Sequence, residues 1–228
     1  MTRVLITGAS RGIGRATALA CAARGAQLGL LGRLSERLSE SVALCLSAGA
    51  QHVQALAADA KDNEQLERAA AQFLETFGAP DAIIHSAGIA ARTSIEATSV
   101  ASFQEQLQVN LSAPFVLTRA LLPAMRARKV GRVVFVGSIS STLGTANLAA
   151  YCASKWGLIG LMKSLAAELS DSGLMTCAVL PGSVDTEMLV GSGFAPRMTA
   201  ESVAQTLLHY AFDAPLAHNG GCVEMFGT

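Results

Sequence analysis

Seven short apolar runs recur along this chain, and stretches with helical spacing of apolar residues fill the intervals between them. Strands that alternate with helices build βαβ units, whose right-handed crossovers leave the strands parallel and place helices on both faces of one sheet. The pattern therefore predicts an α/β protein with a doubly wound parallel sheet of about seven strands. The predicted strands lie at 4–7, 28–32, 53–57, 82–85, 132–137, 175–180 and 222–226.

The length of the chain limits the number of domains. At 228 residues and 23.5 kDa, it is long enough for one α/β domain with a buried core and too short for two such domains. We therefore predict a single domain over 1–228. The hydrophobic share of 51% suits a sheet buried on both faces. No stretch approaches the ~20 apolar residues of a membrane helix, so we expect no membrane partner.

Charge and composition narrow the partners. The 17 basic and 17 acidic residues cancel, which argues against nucleic acid and favours a small molecule as the partner. The five cysteines are scattered without a C-x-x-C, and the four histidines share no ligand spacing, so we predict no metal. The first strand begins almost at once, leaving no room for a signal peptide, and we expect a cytoplasmic protein.

Two helices carry specific local signals. Asp62 followed by Gln65 predicts a capping box for a helix that ends near Phe77. The segment 99–128 contains Pro114 and Pro123 and should be a bent helix.

The sequence TGASRGIG at 7–14 directly follows the first predicted strand. Glycines there permit a tight turn, let the backbone approach a pyrophosphate, and open a helix whose free N–H groups attract that anion. The spacing differs from G-x-G-x-x-G, and a glycine turn that merely allows tight helix–strand packing remains the alternative.

A second motif lies far downstream. Tyr151 and Lys155 are four residues apart, so a helix would place both side chains on one face. A neighbouring cation favours the phenolate, which would lower the pKa of the tyrosine from about 10 toward neutrality. An ordinary amphipathic helix with a surface lysine is the alternative. Ser138 stands thirteen positions before the tyrosine, with Ser140 and Ser141 as alternatives close by.

The chain resembles the short-chain dehydrogenase/reductase family from residue 2 to about 226. The resemblance rests on motifs that occur in the family's order, each after a predicted strand or within a predicted helix. They are the turn at 7–14, Asp59 after the third strand, HSAG at 85–88 in place of the commoner NNAG, Asn110, Ser138, Tyr151, Lys155, and Pro181-Gly182 after the sixth strand.

This resemblance implies a single NADP-binding Rossmann domain over 1–228. It also implies an oxidoreductase that reduces a ketone or aldehyde to an alcohol, with four catalytic residues. Tyr151 would donate a proton to the carbonyl oxygen, and Ser138 would hydrogen-bond the same oxygen. Lys155 would lower the pKa of Tyr151 and hold the nicotinamide ribose. Asn110 would anchor a water through which Lys155 is reprotonated.

NADP(H) is the expected cofactor. NAD sites usually carry an acidic residue about 20 positions past the glycine turn, whereas here the second strand ends in Leu-Leu-Gly followed by Arg33. Arg33 and Arg11 would bind the 2′-phosphate, unless both are merely solvated. The expected cofactor-binding residues are Gly8, Ser10, Arg11, Gly12, Ile13, Gly14, Arg33, Asp59, Ala60, Ser86, Ala87, Gly88, Asn110, Tyr151, Lys155, Pro181, Gly182, Val184 and Thr186. Asp59 would contact the adenine edge or serve only as a turn residue.

The substrate stays open. Within the family, the nearest resemblance is to 3-oxoacyl-carrier-protein reductases, and the basic cluster Arg126, Arg128 and Lys129 would receive an acidic acyl carrier protein or simply complement a helix dipole. Reductases of pteridines, sugars, steroids or xenobiotic ketones are alternatives, as is an NADPH-binding redox sensor without turnover. The lid at 187–197 is shorter than the substrate lid of many relatives. Its Met188, Leu189 and Phe194 would close over an apolar substrate or simply pack as a loop. By resemblance, the helices at 99–128 and 149–169 would build a homodimer or homotetramer.

Overall fold

The computed structural model describes residues 2–227, in which seven parallel strands form one sheet. The strands are β1 (Arg3–Thr7), β2 (Gln27–Gly32), β3 (His52–Ala57), β4 (Ala82–His85), β5 (Gly131–Val136), β6 (Leu174–Pro181) and β7 (Gly221–Met225). Their order across the sheet is β3-β2-β1-β4-β5-β6-β7. Each predicted strand is present, and its ends differ from the prediction by a single residue at most. The α/β fold class with a doubly wound parallel sheet is thereby confirmed.

Helices connect successive strands and cover both faces of the sheet. They are α1 (Gly12–Ala22), α2 (Glu36–Ser47), α3 (Asn63–Phe77), α4 (Val100–Leu107), α5 (Ala113–Arg128), α6 (Ala149–Glu168) and α7 (Ala200–Leu208). Short π-helical segments span Gln108–Ser112 and His209–Asp213, and 3₁₀ turns span Ile139–Ser141 and Leu216–His218. Among the helices of residues 2–227, none combines the length and apolar character needed to cross a bilayer.

The alternation of side chains along the central strands separates two hydrophobic cores. In β1, Val4 and Ile6 face one core, where they join apolar residues of α1, α2 and α7. Leu5 points the other way, into a core shared with α3, α5 and α6. All three side chains are fully buried. Because both faces of the strand are covered, its sequence is continuously apolar rather than alternating.

The chain reverses its winding direction at β1, which pairs with β2 on one side and with β4 on the other. The connections from these two neighbours leave in opposite directions, so a crevice opens beyond the carboxyl ends of β1 and β4. Thr7 closes β1 and His85 closes β4 at the same edge of the sheet. This crevice is where a parallel sheet of this kind binds ligands.

The predicted bent helix over 99–128 is interrupted rather than bent. The π-helical segment separates α4 from α5, and its last bond runs from the Ala113 N–H to the Gln108 carbonyl. Asn110 therefore lies inside this interruption. Pro114 follows in the first turn of α5, where a missing N–H is tolerated. The extra residue of a π turn re-aims its side chains, which is why such turns often occur at functional sites.

The predicted capping box of α3 forms in a modified way. The Asp62 carboxylate accepts a hydrogen bond from the Gln65 N–H at 3.1 Å, as a cap should. The Gln65 side-chain oxygen, however, accepts from the Asp59 N–H at 2.9 Å instead of from Asp62. The helix start thereby also fixes the turn that carries Asp59.

His85 occupies the core position at the end of β4. Its ring stacks on Phe135 with centroids 4.9 Å apart, and its Nε2 shares a hydrogen bond of 2.9 Å with the Thr118 hydroxyl. The Nδ1 atom is buried without a partner among the described residues. Burial lowers the pKa of His85 from 6.5 to about 3, so the imidazole is neutral in the folded protein at physiological pH.

Replacing His85 by Asn should flatten the acid side of the stability profile. Between pH 6.5 and about 3 the unfolded chain binds a proton at this imidazole that the folded chain does not bind, so the free energy of unfolding falls as the pH drops. In that window the wild type should lose up to about 1.4 kcal/mol per pH unit more than His85→Asn. Urea unfolding from pH 7 to pH 4 measures the difference.

His85→Gln is the second variant for this measurement. It also removes the titrating group, so it should share the flatter slope even if its stability at pH 7 differs. Parallel wild-type and variant profiles would show that His85 is not held neutral by burial.

Candidate active site

The glycine turn lies between the end of β1 and the start of α1 and is very tightly packed. A Cβ atom at Gly14 would lie 2.3 Å from the Gly8 carbonyl oxygen, and one at Gly8 would lie 2.8 Å from the Ala87 Cα. No side chain caps α1, and its first turn contains no acidic residue. The helix therefore presents free N–H groups and a positive dipole end, which suits a pyrophosphate.

Thr7 joins this turn to the end of the neighbouring strand. Its hydroxyl accepts hydrogen bonds from the Ser86 and Ala87 N–H groups, each at 3.0 Å. The segment after β4, with Gly88, is thereby held against the glycine turn. The sequence analysis included Thr7 in the turn motif but gave it no role. Its position, the last residue of an otherwise apolar strand, is the signal that points to it.

Asn110 is fully buried and connects three segments. Its Nδ2 donates to the Ile89 carbonyl and to the Ser154 hydroxyl, both at 2.9 Å, and its Oδ1 accepts from the Ile89 N–H at 2.9 Å. The π-helical turn thus links the segment after β4 to α6. Ser154 was absent from the sequence-based predictions. It directly precedes Lys155, and its hydrogen bond with Asn110 fixes the orientation of α6.

The predicted catalytic side chains lie together. Lys155 donates a hydrogen bond to the Val136 carbonyl at 2.8 Å, and its Nζ lies 5.8 Å from the centre of the Tyr151 ring. Ser138 follows β5, and its Oγ accepts from the Ser140 N–H at 3.1 Å. Tyr151 and Ser138 are each 9% exposed and Lys155 is 4% exposed. The spacing of four residues on α6 therefore places phenol and ammonium on one buried face.

Burial dominates the electrostatics of this group. It raises the pKa of Tyr151, against smaller lowering effects of the Ser138 hydrogen bond and the Arg92 charge. It also lowers the pKa of Lys155 to about 8. The expected lowering of the tyrosine pKa by Lys155 is therefore wrong for this geometry. Its ammonium is bonded to the Val136 carbonyl, and desolvation of the phenolate outweighs the nearby positive charges.

One cavity at the carboxyl ends of the strands collects about half of the predicted site residues. Those that line it are Ile13, Ser86, Gly88, Ser138, Tyr151, Lys155, Pro181, Gly182, Val184 and Thr186. Met188, Leu189 and Phe194 of the lid line it too, as does Arg92. Arg92 was not predicted, because it lies in an irregular segment between β4 and α4 where no periodicity or motif marks it.

The remaining predicted residues do not line this cavity. They belong to the glycine turn, to the ends of β2 and β3, or to the support behind the wall, and they are Gly8, Ser10, Arg11, Gly12, Gly14, Arg33, Asp59, Ala60, Ala87 and Asn110. The carbonyl of Ala60 accepts a hydrogen bond from Gln108 at 3.3 Å, which ties the end of β3 to the π-helical segment.

A cluster of arginines lies near the end of β2. Arg33 is exposed, and no ion pair to it exists within residues 2–227. Arg11 forms an ion pair with Glu187 of the lid, so it is not merely a solvated surface residue. Glu187 also forms an ion pair with Arg37 at 2.8 Å. The hydrogen bonds from Arg37 and Arg11 lower the pKa of Glu187. Arg37 was missed, although it stands one helical turn after Arg33.

Comparison with known proteins identifies the family. The family model for short chain dehydrogenases matches residues 2–193. The chain belongs to the short chain dehydrogenase family. It is therefore an oxidoreductase that acts on CH–OH or C=O groups with a nicotinamide cofactor, and the family resemblance found in the sequence is confirmed.

Three relatives illustrate the similarity. The chain is 31% identical over 224 residues to a 3-oxoacyl-[acyl-carrier-protein] reductase of Synechocystis sp., which covers 98% of this chain and 85% of the relative. The crystal structure of levodione reductase superimposes with a TM-score of 0.93 at 30% identity, covering 99% and 96% of the two chains. A candidate NAD(P) dependent gluconate 5-dehydrogenase from Beutenbergia cavernae, with bound NADP, gives 0.90 at 31% identity, covering 98% and 94%.

Replacing Gly14 by Ala should damage the turn. In an ordinary helix this change stabilises by about 0.5–1 kcal/mol, but here the new methyl group would lie 2.3 Å from the Gly8 carbonyl. We expect a loss of about 1–3 kcal/mol in the free energy of unfolding, together with weaker binding of the dinucleotide. Urea unfolding and a fluorescence titration with NADPH measure the two effects.

Gly160→Ala is the matched control for this variant. Gly160 lies in α6, is exposed, and has nothing within 4 Å of its Cβ position. It should gain the ordinary helix stabilisation and leave NADPH binding unchanged. Equal stability of the two variants would contradict the tight packing of the turn.

Proposed function

We propose that this protein is an NADPH-dependent carbonyl reductase that converts a ketone or aldehyde to an alcohol. The proposal rests on one observation: Ser138, Tyr151 and Lys155 line the same cavity, which opens beside the glycine turn at the carboxyl edge of the sheet. The bound nicotinamide supplies the hydride for the carbonyl carbon. The protein must then orient the carbonyl and deliver one proton.

Tyr151 holds that proton. Because burial raises the pKa of the phenol, Tyr151 is protonated at neutral pH and acts as the general acid toward the carbonyl oxygen. Ser138 already accepts a hydrogen bond from the Ser140 N–H, so its own hydroxyl proton is free to be donated. Its hydroxyl bonds to the Tyr151 phenol, and with substrate bound it would stabilise the charge that develops on the carbonyl oxygen.

Lys155 holds a second proton close to the first. With its pKa near 8, the ammonium is mostly charged at neutral pH but gives up its proton more readily than an exposed lysine. A Cβ at Gly88 would lie 3.7 Å from its Nζ and 3.4 Å from the Asn110 Oδ1, so the segment after β4 lies directly against both polar groups. Lys155 would bind the nicotinamide ribose, and Asn110 maintains the geometry of the wall.

The arginine cluster supports NADPH over NADH. Arg33 stands where an NAD site carries an acidic residue, and Arg11 and Arg37 meet at Glu187. Glu187 neutralises only one of these three positive charges. A 2′-phosphate dianion fits the remaining charge, and the Beutenbergia relative has NADP bound at low occupancy.

Delivery of the substrate by an acyl carrier protein receives little support. Of the predicted basic cluster, Arg126 pairs with Glu168 at 3.6 Å and Arg128 pairs with Asp81 at 2.9 Å. Only Lys129 lacks an ion pair among the described residues. The names of the relatives include an acyl-carrier-protein reductase and a levodione reductase, so they support carbonyl reduction without fixing the substrate.

We also propose that the chain self-associates through α4, α5 and α6. Phe103, Phe115 and Trp156 on these helices are 38–53% exposed, which suits a face covered by a second copy of the chain. A homodimer or homotetramer in the cytoplasm is the assembly that we infer.

Tyr151→Phe removes the proton and keeps the ring. Turnover should fall by about 100- to 10,000-fold, the usual contribution of general acid catalysis, while the Kd for NADPH changes less than about threefold. NADPH absorbance with a panel of ketones and aldehydes gives the turnover, and fluorescence titration gives the Kd. Tyr210→Phe, which alters a tyrosine outside the cavity, should behave as the wild type.

Near wild-type turnover of Tyr151→Phe would refute the mechanism. If the wild-type protein binds NADPH tightly but oxidises it with no carbonyl compound in the panel, the alternative of a redox sensor is favoured instead.

Arg33→Ala tests the choice of cofactor. Loss of a charged hydrogen bond should weaken NADPH binding by about 10- to 100-fold and leave NADH binding nearly unchanged. Arg68→Ala, which removes an exposed arginine paired with Glu64 on α3, is the control for net charge. A wild-type preference for NADH in steady-state kinetics would overturn the assignment.

A further inference from the structure

The charged groups of the active-site cavity have one sign. Arg92 and Lys155 line it, and no aspartate or glutamate is among its lining residues in the described part of the chain. Lys155 is bonded to the Val136 carbonyl and, in the proposed function, to the cofactor ribose. Arg92 has no role in that mechanism. The cavity therefore contains a positive charge that the reduction of a neutral ketone does not need.

Arg92 is held in place but is not neutralised. Its Nη2 donates a hydrogen bond to the Met188 carbonyl at 2.9 Å, which links the segment after β4 to the lid. Its Nε is buried and has no acceptor in residues 2–227. No carboxylate pairs with this guanidinium in the same residues. A part-buried cation without a counter-charge is unfavourable, so this position is built to receive an anion.

The anion would lie close to the reacting carbonyl. The Arg92 charge is near enough to Tyr151 to act on the pKa of its phenol. The side chains of Leu189 and Phe194 from the lid border the same cavity and are apolar. Partial exclusion of water by such side chains strengthens the attraction between a guanidinium and a carboxylate.

We propose that Arg92 binds a carboxylate of the substrate, and that the substrates of this enzyme are small oxo acids, in which the ketone and the carboxylate belong to one molecule. This proposal rests on the carbonyl reductase function and specifies its substrate class. The planar guanidinium matches the two oxygens of a carboxylate, whereas a thioester has no charge to offer. Arg92 is thus a residue that determines specificity rather than one that takes part in proton transfer.

The test compares each oxo acid with its own methyl ester. The pairs are 2-oxopentanoate, 3-oxopentanoate and 4-oxopentanoate with the corresponding esters, so the ketone and carbon skeleton stay the same while the charge is removed. For at least one spacing, the wild-type kcat/KM for the acid should exceed that for the ester by about 10-fold or more. An ester preference at all three spacings would overturn the proposal.

Two variants separate charge from structure. Arg92→Gln keeps an N–H donor for the Met188 carbonyl and loses the charge, so kcat/KM for the preferred acid should fall by about 10- to 100-fold, mainly through KM, and that for its ester by less than about threefold. Arg92→Lys should lie between the wild type and Arg92→Gln. Arg68→Gln is the control for net charge. Equal losses for acid and ester would show that Arg92 serves only to hold the lid.

Failure of the carbonyl reductase function would look different. If wild-type protein with bound NADPH turns over neither acids nor esters, calorimetric titration of the same oxo acids into wild type and Arg92→Gln still decides the role of Arg92. Binding that is lost in the variant supports the carboxylate site, and equal or absent binding in both proteins refutes it.

Discussion

The geometry of the site depends on the hydrogen bonds of the buried Asn110 side chain. It uses both ends of its amide to hold the backbone of Ile89, and it also donates to Ser154 on α6. The segment that carries Gly88 is therefore fixed relative to the helix that carries Tyr151 and Lys155. A fully satisfied polar group in a dry environment is both rigid and costly to break. The π-helical turn places this amide within reach of both partners.

The electrostatics of the site follow from the same burial. Water is excluded from Tyr151 and Lys155, so each is shifted toward its neutral form: the phenol retains its proton and the ammonium gives up its proton more easily. The pair is thereby suited to pass a proton toward a carbonyl oxygen. The sequence predicted instead that Lys155 would lower the pKa of Tyr151. The spacing shows that the two groups are neighbours but does not show how strongly both are desolvated.

The sequence predicted those features that depend on local chemistry. The strands follow from their apolar runs, the cap at Asp62 from residues three apart, and the Tyr151–Lys155 pair from the helical period. The sequence did not predict the contacts between segments that are distant along the chain. Gln65 bonds Asp59 instead of completing its own capping box. Glu187 joins Arg11 to Arg37, and Arg92 reaches the lid from an irregular segment, which no periodic pattern could indicate.

Two adjacent residues of the lid, Glu187 and Met188, are held by cations from opposite sides of the site. The ion pairs of Glu187 with Arg11 and Arg37 are about half exposed, so solvent screening leaves each of them weak. A phosphate dianion carries more charge than a carboxylate and would compete successfully for the same guanidinium groups. The Met188 carbonyl, in contrast, takes only one N–H of Arg92 and leaves its charge uncompensated. The lid is therefore weakly held at Glu187 and leaves an unsatisfied cation beside Met188, as the proposed binding of NADPH and of an oxo acid would require.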